Sequence, residues 1–141
     1  MTAEPLDEVA FDVERGKIRE FARATGAADP VHTDLGAARA AGFADAPATA
    51  THVVVAGHYR DQAAFVAKLG LAFERVVVGS VKWTYHRPPL AGDTLRGARR
   101  VADDARKKGM RFVTLETEYL DADDHPVVVL RETLIERGDQ Q

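Results

Sequence analysis

The pattern of hydrophobic and polar positions changes its period once along the chain, at Gly70. Before Gly70 the apolar residues recur at helical spacing, and after it they alternate with polar residues as they do in strands. The longest helical stretch runs from Thr49 to Leu69, with Thr49 or Thr51 expected as its N-cap. It is apolar on nearly every side over Val53–Ala56, and such a helix is buried on several faces. We therefore expect the other elements to pack around it.

Two shorter amphipathic helices are predicted upstream of this stretch. The first spans Glu14 to Thr25, with Asp12 as its N-cap and Gly26 at its end. The second spans Asp34 to Ala41 and is rich in alanine, which allows close packing. A short strand is expected near Phe11.

Four strands at hairpin spacing follow Gly70. Their predicted bounds are Phe73–Arg87, Thr94–Val101, Met110–Leu120 and Val127–Arg137, with a polar connection over Ala102–Gly109 between the second and the third. Helices followed by consecutive antiparallel strands indicate an α+β protein rather than an alternating α/β protein. We predict a hot-dog fold, in which a curved antiparallel sheet of about five strands wraps a long central helix. Such a sheet leaves an open edge, and a dimer is the simplest way to cover it.

Composition limits the classes of protein that the chain can represent. Its 141 residues predict one domain over residues 11–137, with a polar leader at 1–10 and a tail at 138–141. The absence of cysteine excludes disulfides and thiolate metal sites, and the net charge of −3 argues against nucleic-acid binding. The acidic start lacks an apolar core and no apolar run is long enough for a membrane helix, so we expect a cytoplasmic protein without a membrane partner.

One loop remains as a candidate for chemistry. The single serine, Ser80, lies outside any Gly-x-Ser-x-Gly motif, and the histidines lack the spacing of a metal site, so we predict neither a serine nucleophile nor a metal. In the loop GAADPVHTD, His32 follows Pro30 and is flanked by Asp29 and Asp34. From the residues alone, His32 is either an acid/base group or a hydrogen-bonding residue of the next helix.

The segment FARATGAADPVHTDLGAA resembles the hydratase motif of the MaoC-like, (R)-specific enoyl-thioester hydratase and 3-hydroxyacyl-thioester dehydratase family, which includes FAS1-like dehydratases. The matching positions are Phe21, Gly26, Pro30, Val31, His32 and Ala38. Two further segments, FDVERGKIREFARA and YHRPPLAGDTL, resemble the start of actinobacterial A-type dehydratase subunits and the strand–turn–strand segment of the family. The resemblance implies the hot-dog fold and a hydro-lyase that acts on acyl-CoA or acyl-ACP in fatty acid or polyketide biosynthesis. No cofactor is implied.

The resemblance also implies which residues act. His32 and Asp29 are the expected catalytic residues, but the position of the family's motif aspartate is occupied here by Ala27. Either Asp29 replaces that aspartate, or His32 acts alone, or a dimer partner holds the complete pair. The backbone N–H groups of Ala50, Thr51 and His52, at the start of the long helix, are expected to bind the substrate oxyanion.

Three functions follow from this interpretation. The first is an (R)-specific 3-hydroxyacyl-thioester dehydratase or enoyl-thioester hydratase that forms one half of a homodimer or of a heterodimer with a second hot-dog subunit. The second is a non-catalytic, acyl-binding partner subunit, which the alanine at position 27 favours. The third is a hot-dog thioesterase with Asp29 or Asp34 as its base.

Overall fold

The computed structural model describes residues 4–138. It contains one antiparallel sheet of five strands in the order β1-β3-β4-β5-β2. The strands are β1 Asp7–Asp12, β2 Val76–Tyr85, β3 Thr94–Lys107, β4 Met110–Leu120 and β5 Pro126–Glu136. The five antiparallel strands confirm the predicted fold class. The predicted strand near Phe11 starts at Asp7, inside the stretch expected to be a leader. Residues 1–3 of that leader and 139–141 of the predicted tail lie outside the described residues.

The helical elements are short. The α-helices are α1 Arg15–Thr25, α2 Leu35–Ala40 and α3 Gln62–Lys68, and 3₁₀ turns cover Pro30–His32, His52–Tyr59 and Phe73–Arg75. Between residues 4 and 138, no helix is both long enough and apolar enough to cross a membrane. We call His52–Tyr59 the central 3₁₀ segment.

The prediction of one continuous helix from Thr49 to Leu69 is wrong. The central 3₁₀ segment ends at Tyr59, the backbone of the next residue, Arg60, is extended, and α3 begins only after Asp61. Asp61 caps α3, because its side chain accepts a hydrogen bond from the N–H of Ala64 at 3.0 Å. The three consecutive valines before the break also lower the α-helical preference of the first half.

The connection predicted over Ala102–Gly109 is mostly strand. β3 continues to Lys107 and pairs with β4 up to Met110, so that only Lys108 and Gly109 form the turn. Both turn residues have positive φ (51° and 77°), as a two-residue type I′ hairpin turn requires. The hairpin end is polar and exposed, and it therefore lacks the apolar alternation that identifies a strand in a sequence.

Several element ends also differ from the prediction, and two of these differences have a clear local cause. The N-cap of α1 is Glu14 and not Asp12, because the carboxylate of Asp12 instead accepts a hydrogen bond from Thr94 Oγ1 at 2.8 Å. β2 starts at Val76 and not at Phe73, because Phe73–Arg75 forms a 3₁₀ turn. Thr51 occupies the N-cap position of the central 3₁₀ segment, but its side chain makes no capping hydrogen bond.

The broken helix covers the sheet with two hydrophobic clusters. The central 3₁₀ segment contributes Val53, Val55 and Ala56 to the larger cluster, which includes Phe11, Leu95 and Val128 among its sheet residues. α3 contributes Phe65 and Val66 to the smaller cluster, against Val113, Leu115 and Leu134. Each half of the predicted helix thus buries its own part of the sheet.

Candidate functional site

His32 is held in one tautomer by the backbone of a neighbouring loop. Its Nδ1 lies 2.8 Å from the carbonyl oxygen of Pro47, which can only accept, so Nδ1 carries the hydrogen. The other nitrogen, Nε2, then has a free lone pair in the neutral ring, which is the arrangement that a general base requires. The side chain is half-buried, so the ring is packed while still reachable.

Asp29 shapes the turn that carries His32. Its Oδ1 accepts a hydrogen bond from the N–H of Val31 at 3.1 Å and so caps the 3₁₀ turn Pro30–His32. The residue is exposed, and no hydrogen bond joins its carboxylate to the His32 ring in the described part of the chain. The structure therefore brings Asp29 to the base of the histidine turn and not into contact with the imidazole.

Asp34 has a similar role in the next helix, where its Oδ1 accepts from the N–H of Gly36 at 2.9 Å. Ala27 lies just beyond the end of α1. Gly26 ends the helix in the left-handed conformation with a φ of 71°, and the Ala27 N–H donates to the carbonyl of Ala22 at 2.8 Å. The half-buried methyl group of Ala27 offers no group that transfers a proton.

The start of the central 3₁₀ segment leaves two backbone donors free. The N–H of His52 donates to the carbonyl of Thr49 at 3.1 Å, which occupies one of the three donors expected for the substrate oxyanion. The N–H groups of Ala50 and Thr51 have no acceptor within residues 4–138. Adjacent free N–H groups at such a start favour a negative charge.

A cavity of about 260 Å³ opens beside these donors. Its lining residues are Ala48, Thr49, Ala50, Tyr85, Pro88 and Pro89. Pro47, which holds His32, bridges to Leu90, and the next N–H, that of Ala48, donates to the carbonyl of Pro89 at 2.8 Å. His32 is thus fixed through the residue that directly precedes the cavity wall.

Two polar side chains line this cavity, those of Tyr85 and Thr49, and the sequence predicted only an N-cap role for Thr49. Tyr85 is 37% exposed, and its partial burial raises its pKa to about 12. Its hydroxyl is protonated at neutral pH, as in any tyrosine, and can donate a hydrogen bond. Thr49 is buried, and its Oγ1 has no hydrogen-bond partner in the described residues. Pro88 and Pro89 of this wall directly follow the predicted strand Phe73–Arg87.

One group outside this cavity has the composition of a cation site. The ligand atoms of Asp121, Asp123 and His125 lie within 4.8 Å of one another. The Asp121 carboxylate, however, accepts hydrogen bonds from the backbone N–H groups of Asp123 and His125 and also from Arg87. These bonds explain the cluster as the closure of the β4–β5 turn.

Comparisons with known proteins show the family of the chain. The sequence model of the FAS1-like dehydratase domain region matches residues 1–130. A UPF0336 protein of Clavibacter michiganensis subsp. michiganensis is 44% identical over 133 residues, which cover 90% of this chain and 86% of that protein.

Solved structures share the fold. The C-terminally truncated HadBC (3R-hydroxyacyl-ACP dehydratase) complex from Mycobacterium tuberculosis has a chain that matches with a TM-score of 0.81 at 24% identity, covering 96% of this chain and 98% of that chain. A chain of the ChsH1–ChsH2 complex from the same organism matches with a TM-score of 0.79 at 20% identity, covering 95% of this chain and 89% of that one. These likenesses show the hot-dog fold, and with the family match over residues 1–130 the chain belongs to the FAS1-like dehydratase-region family.

Proposed function

We propose that this protein adds water to, or removes it from, acyl thioesters as an (R)-specific 3-hydroxyacyl-thioester dehydratase or enoyl-thioester hydratase. The observation that carries the proposal is the fixed tautomer of His32, whose Nδ1 donates to Pro47 and whose Nε2 is left free as a base. The substrate would be an acyl-CoA or an acyl-ACP. The HadBC neighbour, which is named a 3R-hydroxyacyl-ACP dehydratase, supports the second carrier.

The reaction needs a base for the C2 proton, donors for the enolate oxygen and an acid for the departing hydroxyl, and the site offers a candidate for each. In dehydration, His32 Nε2 would take the proton from C2 of the 3-hydroxyacyl thioester while the thioester carbonyl becomes an enolate. The free N–H groups of Ala50 and Thr51 would stabilise the enolate oxygen, where one such donor typically contributes about 2.7–4 kcal/mol. The protonated imidazole would then return its proton to the departing 3-hydroxyl. Water and the enoyl thioester leave, and the histidine is neutral again.

Asp29 would support this step only at a distance from the imidazole. Its carboxylate caps the histidine turn, and a water held between Asp29 and the substrate hydroxyl would be needed for it to share in proton transfer. Asp34 is occupied in the same way at the start of α2, and this favours hydration chemistry over a thioesterase that uses either carboxylate as its base.

A second candidate function is the acyl-binding partner subunit of a two-chain dehydratase. The specific observation that favours it is the alanine at position 27, since a methyl group cannot transfer a proton. No carboxylate in residues 4–138 is hydrogen-bonded to His32 in its place. Two structural neighbours, HadBC and ChsH1–ChsH2, are complexes of two different chains. In this case the partner would supply the missing acid.

The two candidates separate in one experiment. The purified chain is assayed alone with a crotonyl thioester, and His32→Ala is compared with wild type. If the chain is catalytic, the variant loses about 10²–10⁴-fold in hydration rate, whereas His58→Ala, in an exposed residue of the central 3₁₀ segment, keeps the wild-type rate. A wild-type chain that is silent alone but active after mixing with a second hot-dog subunit supports the partner function. A rate unchanged by His32→Ala would refute the catalytic assignment.

A further inference from the structure

Two cavities form a crevice between the broken helix and the sheet. We call the polar region that lines both of them, with Gln62, Arg99 and Glu132, the waist. A cavity of about 120 Å³ lies under the central 3₁₀ segment, and one of about 290 Å³ lies under α3. The walls of the second cavity are mostly apolar, formed by α3, β2, β4 and β5. Both cavities are lined by the same three polar side chains, those of Gln62, Arg99 and Glu132.

Two buried guanidinium groups lie on one side of this waist. The side chains of Arg60 and Arg99 are only 5% and 4% exposed, and both donate to the carboxylate of Asp7. Arg60 Nη1 lies 2.8 Å from both Asp7 oxygens, and Arg99 Nε lies 3.0 Å from one of them. Arg99 also donates to Gln62 and stacks on Phe65, with Cζ 3.3 Å from the ring centroid. Arg60 also hydrogen-bonds to Tyr119. Each guanidinium has five N–H groups, which is more than Asp7, Gln62 and Tyr119 occupy in residues 4–138.

Glu132 lies on the other side of the waist. Its carboxylate makes neither an ion pair nor a hydrogen bond within residues 4–138, although it faces both cavities. Burial raises the pKa of Glu132, and the nearby charges of Arg99 and Arg60 oppose this effect only in part. A gap wider than an ion pair thus separates spare donors from a spare acceptor, and Arg99 and Glu132 line both cavities.

This waist is close to the proposed reaction site. Val53 and Val54 line the smaller cavity, and Val54 follows Thr51 by one 3₁₀ turn. An acyl chain whose thioester is held by the N–H groups of Ala50 and Thr51 would therefore enter the waist a few carbons further along. A plain alkyl chain would cover the spare donors and the acceptor without pairing them.

We infer that this crevice binds acyl chains that carry a hydroxyl group remote from the thioester, with that hydroxyl placed between the guanidinium groups and Glu132. A hydroxyl accepts from Arg60 or Arg99 and donates to Glu132, so it satisfies both sides at once. A carboxylate has no proton to offer Glu132 and would be repelled by it. The inference rests on the proposed function, because it specifies the substrate of the same site.

Binding of unreactive thioethers tests this inference without requiring turnover. The probes are S-alkyl pantetheines of one chain length, which carry a plain chain, a hydroxyl at successive carbons, or a terminal carboxylate. Calorimetry with the full chain should show that one hydroxylated probe binds at least about tenfold more tightly than the plain probe, as expected for one hydrogen bond to a charged group. Glu132→Leu should abolish the preference, and Glu118→Leu, on the exposed part of β4, should keep it.

The possible outcomes are distinct, provided that thermal melting shows each variant to be folded. Equal binding of the plain and hydroxylated probes overturns the inference and leaves the proposed function intact. A preference that survives Glu132→Leu, or tightest binding of the carboxylated probe, also overturns it. If none of the thioethers binds to the wild-type chain, both the inference and the proposed acyl-thioester function fail.

Discussion

His52 is the residue whose surroundings differ most from those of an ordinary histidine. Its side chain is fully buried, and its ring meets that of Phe21 edge-on with the centroids 5.6 Å apart. Neither ring nitrogen has a hydrogen-bond partner in the described residues. Burial, with a smaller contribution from the charge of Lys17, lowers the pKa of His52 to about 4. The ring is therefore neutral at pH 7 and packs as an apolar group.

This pKa makes the free energy of unfolding depend on pH. The unfolded chain binds a proton at His52 near pH 6.5, whereas the folded chain does so only near pH 4. The contribution of His52 to stability should therefore fall as the pH decreases from 6.5 to 4, by about 3 kcal/mol in total. Urea unfolding at intervals across this range measures the slope. His52→Leu should flatten it, and should not destabilise the protein at pH 7, since it removes unpaired polar atoms.

His58 provides the matched control for this prediction. It lies in the same 3₁₀ segment but is exposed, so His58→Leu should keep the wild-type slope. The carboxylates whose pKa is lowered by arginine partners, such as Asp7 and Asp45, lose their contribution only below this range. Glu132, whose pKa is raised by burial, contributes an opposite slope, so the test is the difference between variants. A His52→Leu protein with the wild-type slope would contradict the assignment.

Ala27 allows a gain of function to be tested. Ala27→Asp combined with Asp29→Asn rebuilds the family motif, and asparagine keeps an oxygen that can accept from the N–H of Val31, so the turn should survive. We expect the double variant to hydrate a crotonyl thioester at least about 10²-fold faster than the wild-type chain, since a positioned acid/base group contributes that much.

The control for this variant is Ala27→Asn with Asp29→Asn. It introduces a side chain of nearly the same size and polarity but without a carboxylate, and should give no increase in rate. If the asparagine variant increases the rate as much as the aspartate variant, the effect is not proton transfer. If neither does, His32 lacks the position that the catalytic assignment requires.

At the scale of elements, the break in the central helix is held by Asp61. Its side chain accepts from the N–H of Ala64, and its neighbour Arg60 is tied to Asp7 of β1. Asp61→Ala should lower the free energy of unfolding by about 1 kcal/mol, the usual loss for an N-cap. Asp61→Ser should retain most of it, because serine also caps. Denaturant unfolding of the two variants measures the difference, and an alanine variant as stable as wild type would refute this role.

The limits of sequence-based prediction are visible in the same element. Helical spacing correctly indicated that Val55, Phe65 and Val66 are buried, since spacing reports which side chains face a core. It was wrong for Val54, which is 46% exposed. It gave no sign of the extended residue at Arg60, because the ion pair that holds it comes from Asp7, 53 positions away. The polar end of the β3–β4 hairpin was not predicted as strand, because its strands pair through the backbone without burying an apolar face.

In the candidate site, too, features set by local sequence were predicted and features set by distant residues were not. The loop with Asp29 and His32 was identified from local residues, since proline fixes the turn and an acid caps it. The anchor of the ring is the carbonyl of Pro47, and any residue at that position offers a carbonyl, so no side-chain pattern marks it. Likewise, Glu132 and Arg99 line the same cavity without pairing, and they come from two strands that are separated along the chain by β4.

At the scale of the whole molecule, the two edges of the sheet differ. β1 is six residues long and carries Asp7, Glu8 and Asp12, and short charged edges resist further pairing. β2 is ten residues long, and Lys82 is its only charged residue. Its exposed valines, Val77, Val78 and Val81, are 41%, 59% and 44% exposed. A long apolar edge of this kind is suited to pair with another strand.

We therefore expect the chain to associate through β2, with a second copy or with a related subunit. In light scattering at micromolar concentration, the chain should have a mass above the 15.4 kDa of one copy. Val78→Lys combined with Val81→Lys should yield the monomer, because two charges would be buried against the partner strand. Ala122→Lys, in the exposed β4–β5 turn, should leave the mass unchanged. If the wild-type chain is a 15.4 kDa monomer, and remains one after mixing with the second hot-dog subunit, the prediction that β2 mediates assembly is wrong.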